Sequence, residues 1–123
     1  MSVQSLARKF VDLCNQGKNF DVMEMMYAPD IVSVEGDGKE TAGKAPVIQK
    51  SRHWAEINVF HGEKVRGPYF SGGSESEGQF AVYFTLEITR KATGQRLSLE
   101  EVALYTVKND KITREQFFYE GDH

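Results

Sequence analysis

The sequence predicts a single α+β domain spanning residues 1–123, in which three N-terminal helices pack on a curved antiparallel β-sheet to form a cone. Two periodicities indicate this fold class. Apolar residues recur at helical spacing over most of the first 58 residues, and from Val59 onward they alternate with a period of two. The alternating segments are long and their connections short, which favours antiparallel pairing. A chain of 123 residues can bury a core of its own.

Capping and stop residues delimit the three helices. Ser2 is a suitable N-cap for the first helix, and Gly17 occupies the position of a C′ glycine. Pro29 stops the second helix, whereas Pro46 is compatible with the third because it falls in the first turn. The predicted helices span 3–16, about 20–28 and 44–58.

The strands follow from alternation and from turn residues. Ile31 to Glu35 alternates as a short strand, and Gly36, Gly38 and Gly43 after it predict a mobile loop. The motifs Ser-Gly-Gly, Lys-Ala-Thr-Gly and Asn-Asp-Lys then separate four long strands. These strands are predicted at 59–70, 78–90, 96–108 and 111–119.

The composition narrows the class of partner and the compartment. The formal net charge is −3 and no block of lysine or arginine occurs, which argues against nucleic acid. No apolar stretch approaches the roughly 20 residues that span a bilayer, so a membrane partner is not expected. Cys14 is the single cysteine, and the N-terminus does not resemble a signal peptide. We expect a reduced, cytoplasmic protein.

The sequence favours chemistry without a cofactor, or simple binding. His53, His61 and His123 form neither a His-x-His nor a Glu-x-x-His pattern, which argues against a metal site. No Walker loop, Gly-x-Gly-x-x-Gly motif or serine elbow is present.

Glu101 is the most unusual residue by periodicity. It interrupts an inward apolar stripe of the strand 96–108, two residues from Ala103 on the same face. A buried carboxylate needs a partner or stays protonated, and a protonated Glu101 could donate a hydrogen bond. Two structural alternatives remain open: a bulge at Glu100 and Glu101, or an ion pair with an arginine such as Arg52.

Several short motifs occur in an order that resembles a known superfamily. The chain is similar to the nuclear transport factor 2-like superfamily, and within it to SnoaL-like proteins and steroid delta-isomerases. This resemblance implies the cone-shaped fold, but the superfamily includes isomerases, cyclases, dehydratases, hydrolases and plain binding or scaffold modules. The motifs, in chain order, are Asn-Gln-Gly-Lys-Asn-Phe, Met-Tyr-Ala-Pro-Asp-Ile-Val, Gly-Lys-Ala-Pro-Val-Ile, and Asp-Lys-Ile followed by Phe-Phe-Tyr.

The steroid isomerases use a carboxylate base just after their first strand, and the resemblance places that base at Glu35. Their two oxyanion donors fall at Phe10 and Ala103 in this chain, and neither side chain can donate a hydrogen bond. Ketosteroid isomerase activity itself is therefore not expected. Tyr27 corresponds to a pocket tyrosine of that family and Tyr119 to a pocket tryptophan.

Together these observations predict a protein that binds a small apolar, polyketide-like or steroid-like molecule. As an enzyme it would be a cofactor-independent isomerase, cyclase, dehydratase or hydrolase that acts by carboxylate proton abstraction. Glu35 would be the base, with Glu101 or a tyrosine stabilising the developing oxyanion. Glu35 could instead be a solvated residue at a strand end. The predicted substrate-binding residues are those expected to line the pocket: Phe10, Tyr27, Trp54, Phe84, Ala103, Tyr105, Phe117 and Tyr119.

Two other functions remain open. The protein could be a non-catalytic ligand-binding or scaffold module of the same fold. Alternatively, Tyr83, Val102 and Leu104 make the outer sheet face more apolar than a solvated surface requires. A homodimer through that face would explain this composition, and so would a simple mixed surface.

Overall fold

The computed structural model describes residues 2–73, 75–121 and 123, which form three helices and a six-stranded sheet. In chain order the elements are α1 (Val3–Asn15), α2 (Asn19–Met26), β1 (Tyr27–Val34), β2 (Glu40–Ala42), α3 (Lys44–Ile57), β3 (Asn58–Gly73), β4 (Glu77–Arg90), β5 (Arg96–Lys108) and β6 (Lys111–Phe118). The strand order across the sheet is β2-β1-β6-β5-β4-β3. The predicted α+β class is confirmed.

The structure corrects the predicted order of elements and the pairing. Only α1 and α2 precede the sheet, because α3 follows β1 and β2. The sheet is mixed, because β1 pairs with β6 in parallel, whereas the other four strand pairs of the sheet are antiparallel. The predicted mobile loop contains β2, whose residues Glu40–Ala42 pair with Val32–Val34.

The first strand begins earlier than the alternation predicts. α2 ends at Met26, and Tyr27 already has extended backbone angles (φ −77°, ψ 132°). Ala28 precedes Pro29, and a residue before proline is disfavoured in the helical region. Pro29 therefore lies three residues after the last helical residue, Met26, and β1 starts at Tyr27.

Burial along the sheet shows which end of the cone is closed. On the inner face of β5 the deep residues Ala103, Tyr105 and Val107 are almost inaccessible, whereas Leu97 near the strand start is only partly buried. At the closed end α1 covers the sheet, with its Ser2 N-cap accepting a hydrogen bond from the Ser5 N–H (3.1 Å). The open end of the cone therefore lies at the start of β5.

β-Bulges change which residues face inward. The pairing of β3 with β4 shifts between Phe60 and Gly62, so Glu63 comes to lie beside the inward residue Leu86. A second shift, between β5 and β6, brings Glu115 opposite Tyr105 on the inner face. Both bulges turn a charged side chain toward the interior.

Among the described residues, no helix combines the length and the apolar character that crossing a membrane requires.

Candidate functional site

Four carboxylates converge on the concave side of the sheet. Glu35 follows the end of β1, and the other three lie on inward positions of β3, β5 and β6: Glu63, Glu101 and Glu115. Their mutual charges act on one another, since Glu35, Glu63 and Glu115 all raise the pKa of Glu101. The site therefore gathers four ionisable carboxyl groups in the half of the cone that leads to its mouth, and burial favours the neutral form of three of them.

Glu35 is anchored by two side chains. One carboxylate oxygen, Oε1, lies 2.5 Å from the Lys50 ammonium, and the other, Oε2, accepts a hydrogen bond from the Tyr119 hydroxyl at 3.2 Å. Its side chain remains 29% exposed. Glu35 thus lies at the edge of the interior in an ion pair, rather than as a free solvated residue.

Glu101 lies between the buried residues Leu99 and Ala103 on the inner face of β5. Burial is the main cause that raises its pKa to about 7, and the charge of Glu35 adds to the effect. The register of β4 and β5 is continuous at this point, with Phe84 opposite Glu101, so the bulge considered above does not occur. The alternative partner Arg52 is exposed, and its guanidinium lies over the Phe20 ring at 5.0 Å.

Glu115 is a site residue that sequence reasoning missed. It is 2% exposed and accepts a short hydrogen bond from the Tyr27 hydroxyl and another from Ser33. Burial raises its pKa, while these bonds and the charge of Lys50 oppose the rise. Counting back in steps of two from Phe117 would place Glu115 on the inner face. The same count puts Ile112 on the outer face, although it is buried, and only the bulge between the two residues explains how both face inward.

Glu63 was also missed, because the bulge in β3 reverses the alternation before it. Its Oε1 accepts a hydrogen bond from the Asn19 side-chain amide at 2.9 Å. Burial raises the pKa of Glu63 and the bond from Asn19 lowers it. The contact ties the start of α2 to the sheet.

Two of the predicted pocket residues are deep core residues that pack against each other. The Phe10 ring lies 4.6 Å from the Tyr105 ring and 5.5 Å from the Phe80 ring. Ala103 is fully buried beside them and Phe84 is nearly so. These residues fill the closed end of the cone, and their contact with a ligand stays a prediction.

The other predicted pocket residues lie toward the mouth or in the polar cluster. Trp54 and Phe117 are partly buried against the core, and the Trp54 ring meets the Phe60 ring edge-on at 5.2 Å. Tyr27 is buried and bonded to Glu115, and Tyr119 is bonded to Glu35. The structure thus brings Tyr27 and Tyr119 to carboxylates, while ligand contact by these four residues also stays a prediction.

Two surface depressions flank the carboxylates. One of about 340 Å³ lies at the mouth beside Glu35 and is lined by Gly36, Asp37, Tyr119, Gly121 and His123. A larger one, about 470 Å³, includes mostly residues of the outer sheet face, such as Lys64, Thr85 and Glu100. The larger depression also reaches Glu63, but most of its other lining residues face outward. The smaller one, beside Glu35, is therefore the better entrance to the candidate site.

The histidines do not join the carboxylates in a metal site. His53 is exposed, His61 contacts the Thr89 hydroxyl at 2.7 Å, and the His123 ring stacks on Tyr119 at 3.9 Å. Within residues 2–73, 75–121 and 123, no three His, Cys, Asp or Glu side chains are arranged to hold a metal ion.

Comparison with known proteins identifies the family. Residues 1–119 match the SnoaL-like domain, and no curated protein matches the chain. A solved structure from Mesorhizobium loti is 42% identical, with a TM-score of 0.89, over 97% of this chain and 100% of that chain. That protein is named provisionally as a SnoaL-like polyketide cyclase, with carbohydrate phosphatase as a second description.

More distant structures share the fold. A provisionally named polyketide cyclase from Pseudomonas putida is 18% identical, with a TM-score of 0.74 over 98% of this chain and 92% of its own. A provisionally named isomerase from Bacillus subtilis is 14% identical, with a TM-score of 0.68 over 94% and 84%. With the match over residues 1–119, these comparisons establish that the chain belongs to the SnoaL-like family and has the nuclear transport factor 2-like fold.

Proposed function

We propose that this SnoaL-like protein is an enzyme that moves a proton on a small, largely apolar carbonyl compound, polyketide-like or steroid-like, with its own carboxylates as acid and base. The observation that supports this most directly is the position of Glu101. It is a carboxylate held among apolar side chains, opposite Phe84 and two residues from Ala103. General bases operate best when their pKa lies near the working pH.

Glu101 is the better of the two expected groups for the base. Burial raises its pKa to about 7, which is near neutral pH. Glu35, the base implied by the steroid isomerases, is already held by Lys50 and Tyr119. The contacts therefore favour Glu101 as the group that exchanges the proton with the substrate. Glu35 would instead hold Lys50 and Tyr119 in place at the mouth.

The proposed step is an enolisation. The Glu101 carboxylate removes a proton from the carbon next to the substrate carbonyl, and the C–H electron pair forms the carbon–carbon double bond of an enolate. The carbonyl π electrons move to oxygen, which becomes the oxyanion. The neutral Glu101 then returns the proton to the same or another carbon, which gives exchange or isomerisation.

Deuterium exchange tests this function without knowledge of the product. A panel of enolisable cyclic ketones and β-keto esters is incubated in D₂O, and loss of the α-proton signal is followed by NMR. We expect the wild-type protein to accelerate exchange for at least one panel member, and Glu101→Gln to slow it by about 100-fold or more.

Glu100→Gln is the matched control, because Glu100 is the neighbouring residue of β5 but is exposed and bonded to Tyr83 on the outer face. The Glu100→Gln variant should catalyse α-proton exchange at the wild-type rate. Binding of panel compounds without any exchange would contradict the enzyme and support the non-catalytic ligand-binding alternative. The close aromatic packing of Phe10, Phe80 and Tyr105, which fills the closed end, instead favours a scaffold module of the same fold.

We also propose that the protein forms a homodimer through its outer sheet face. Val102 and Phe118 are neighbours in the β5–β6 register and are 41% and 48% exposed. Tyr83 is paired with Val102 on the next strand. Adjacent exposed apolar side chains of this kind are typical of a surface that is covered by a partner.

A further inference from the structure

Lys50 reaches from α3 into the polar cluster. Its Nζ lies 2.5 Å from Glu35 Oε1 and donates to the Ser33 hydroxyl at 2.8 Å. Ser33 is fully buried, whereas the Lys50 side chain is 30% exposed. The ammonium therefore lies where the buried layer under α3 meets the mouth of the cone.

The hydrogen bonds around Lys50 have a fixed direction. An ammonium has only donors, so Lys50 donates to both Glu35 and Ser33. The Ser33 hydroxyl is thereby free to give its own hydrogen to Glu115, which also accepts from Tyr27. Two carboxylates thus hold the position of one cation, Glu35 directly and Glu115 through Ser33.

These contacts use two of the three N–H groups of the ammonium. Within residues 2–73, 75–121 and 123 the ammonium has no further hydrogen-bond acceptor, so a third donor remains for a ligand beside Glu35. The proposed enolisation needs such a donor, because negative charge develops on the carbonyl oxygen of the substrate. A partly desolvated cation is well suited to an oxygen on which negative charge develops.

We propose that Lys50 is a further catalytic residue, which binds the carbonyl oxygen of the substrate and stabilises the enolate oxyanion. This inference rests on the proposed function. Glu35, Ser33 and Glu115 are positioning residues that hold the ammonium in place. When Glu101 takes the α-proton, the new negative charge on oxygen is balanced by Lys50, which keeps its own proton throughout.

An enolate analogue tests Lys50 separately from turnover. 2-Naphthol ionises to naphtholate, whose fluorescence differs, and naphthalene has the same ring system without the oxygen. We expect wild-type protein to bind naphtholate, and Lys50→Met to weaken that binding by about tenfold or more while naphthalene affinity stays the same. Lys50→Arg should retain most of the naphtholate affinity. In the deuterium exchange assay Lys50→Met should be slower by about 100-fold.

Controls separate a catalytic cation from a structural one. Lys44→Met changes a lysine of the same helix that contacts the Glu24 carbonyl and carboxylate, and it should alter neither affinity. If Lys50→Met does not fold, Lys50→Gln keeps N–H donors for Glu35 and Ser33 without the charge and should show the same selective loss.

Equal loss of naphtholate and naphthalene affinity, or no loss of either, would overturn the role of Lys50. A wild-type protein that exchanges α-protons but does not bind naphtholate would also overturn it and leave the proposed function intact. A protein with neither exchange nor binding would overturn both.

Discussion

Glu101 combines an apolar position with an ionisable group. The residues on either side of it along the inner face are Leu99 and Ala103, both buried. Removal from water penalises the charged carboxylate, and nearby Glu35 adds repulsion, so the neutral form is favoured in the folded state. The same arrangement that suits Glu101 to its proposed role as a base therefore affects the stability of the protein.

Stability should fall as pH rises through the range in which Glu101 ionises. Between the ordinary value of 4.5 and about 7, the folded protein holds a proton on Glu101 that the unfolded chain has released. The free energy of unfolding thus decreases with rising pH in this range, by no more than about 3 kcal/mol from Glu101. Urea unfolding from about pH 5 to about pH 8 measures this decline.

Glu101→Gln should make the decline shallower but not abolish it, because burial also raises the pKa of Glu63 and of Glu115. Glu100→Gln should follow the wild-type curve. An unchanged slope in Glu101→Gln would mean that Glu101 is solvated in the folded protein.

At the scale of the element, the turn after β1 fixes the mouth of the site. The Glu35 backbone N–H donates to the Lys39 carbonyl (2.9 Å) and the Gly38 N–H returns to the Glu35 carbonyl (2.9 Å). Gly36 lies against the Tyr119 ring, and an added Cβ would approach two ring atoms to 2.7 Å. The turn therefore needs glycine so that Tyr119 can reach Glu35.

Gly36→Ala should displace the Tyr119 ring and break its hydrogen bond to Glu35. We expect the Tyr119 ring signals to shift in NMR spectra of tyrosine-labelled protein. The free energy of unfolding should fall by no more than about 1 kcal/mol, because the ring is the far end of a partly exposed side chain and can move. Gly62→Ala is the control, because a Cβ there meets nothing within 4 Å. Tyr119 signals that stay in place in Gly36→Ala would contradict this close contact.

At the scale of the whole molecule, the sheet separates two surfaces of different character. Its concave side is covered by the helices and holds the carboxylates, whereas its outer side exposes Val102 and Phe118. Arg66 lies over the Tyr83 ring on that outer side at 5.9 Å. Assembly through the outer face would leave the mouth open to substrate.

Light scattering should therefore give about twice the chain mass of 13.9 kDa. Val102→Glu should shift the protein to the monomer, because a two-fold interface places the new charge near its own copy. Ala92→Glu adds the same charge at the exposed β4–β5 turn and should leave the mass unchanged. A monomeric wild-type protein would contradict the dimer.

Residue patterns local in the sequence determined the helices, most of the strands and part of the candidate site. Helical spacing, Pro29 and the turn motifs located three helices and five of the six strands to within a few residues. Alternation alone placed Glu101 on the inner face of β5, because a continuous register preserves the phase of a strand. The order of sheet neighbours, and therefore the parallel pairing of β1 with β6, has no such local signal.

Only the tertiary structure assembled the polar cluster. Tyr27 and Glu115 are 88 positions apart, and they meet because β1 lies beside β6 and a bulge turns Glu115 inward. Lys50 reaches Glu35 only once α3 has packed against β1. The sequence by itself determined the elements and the inward carboxylate of β5, since these depend on neighbours along the chain. The partners of each charge depend on strand order and bulge phase, which are settled only when remote segments pack together.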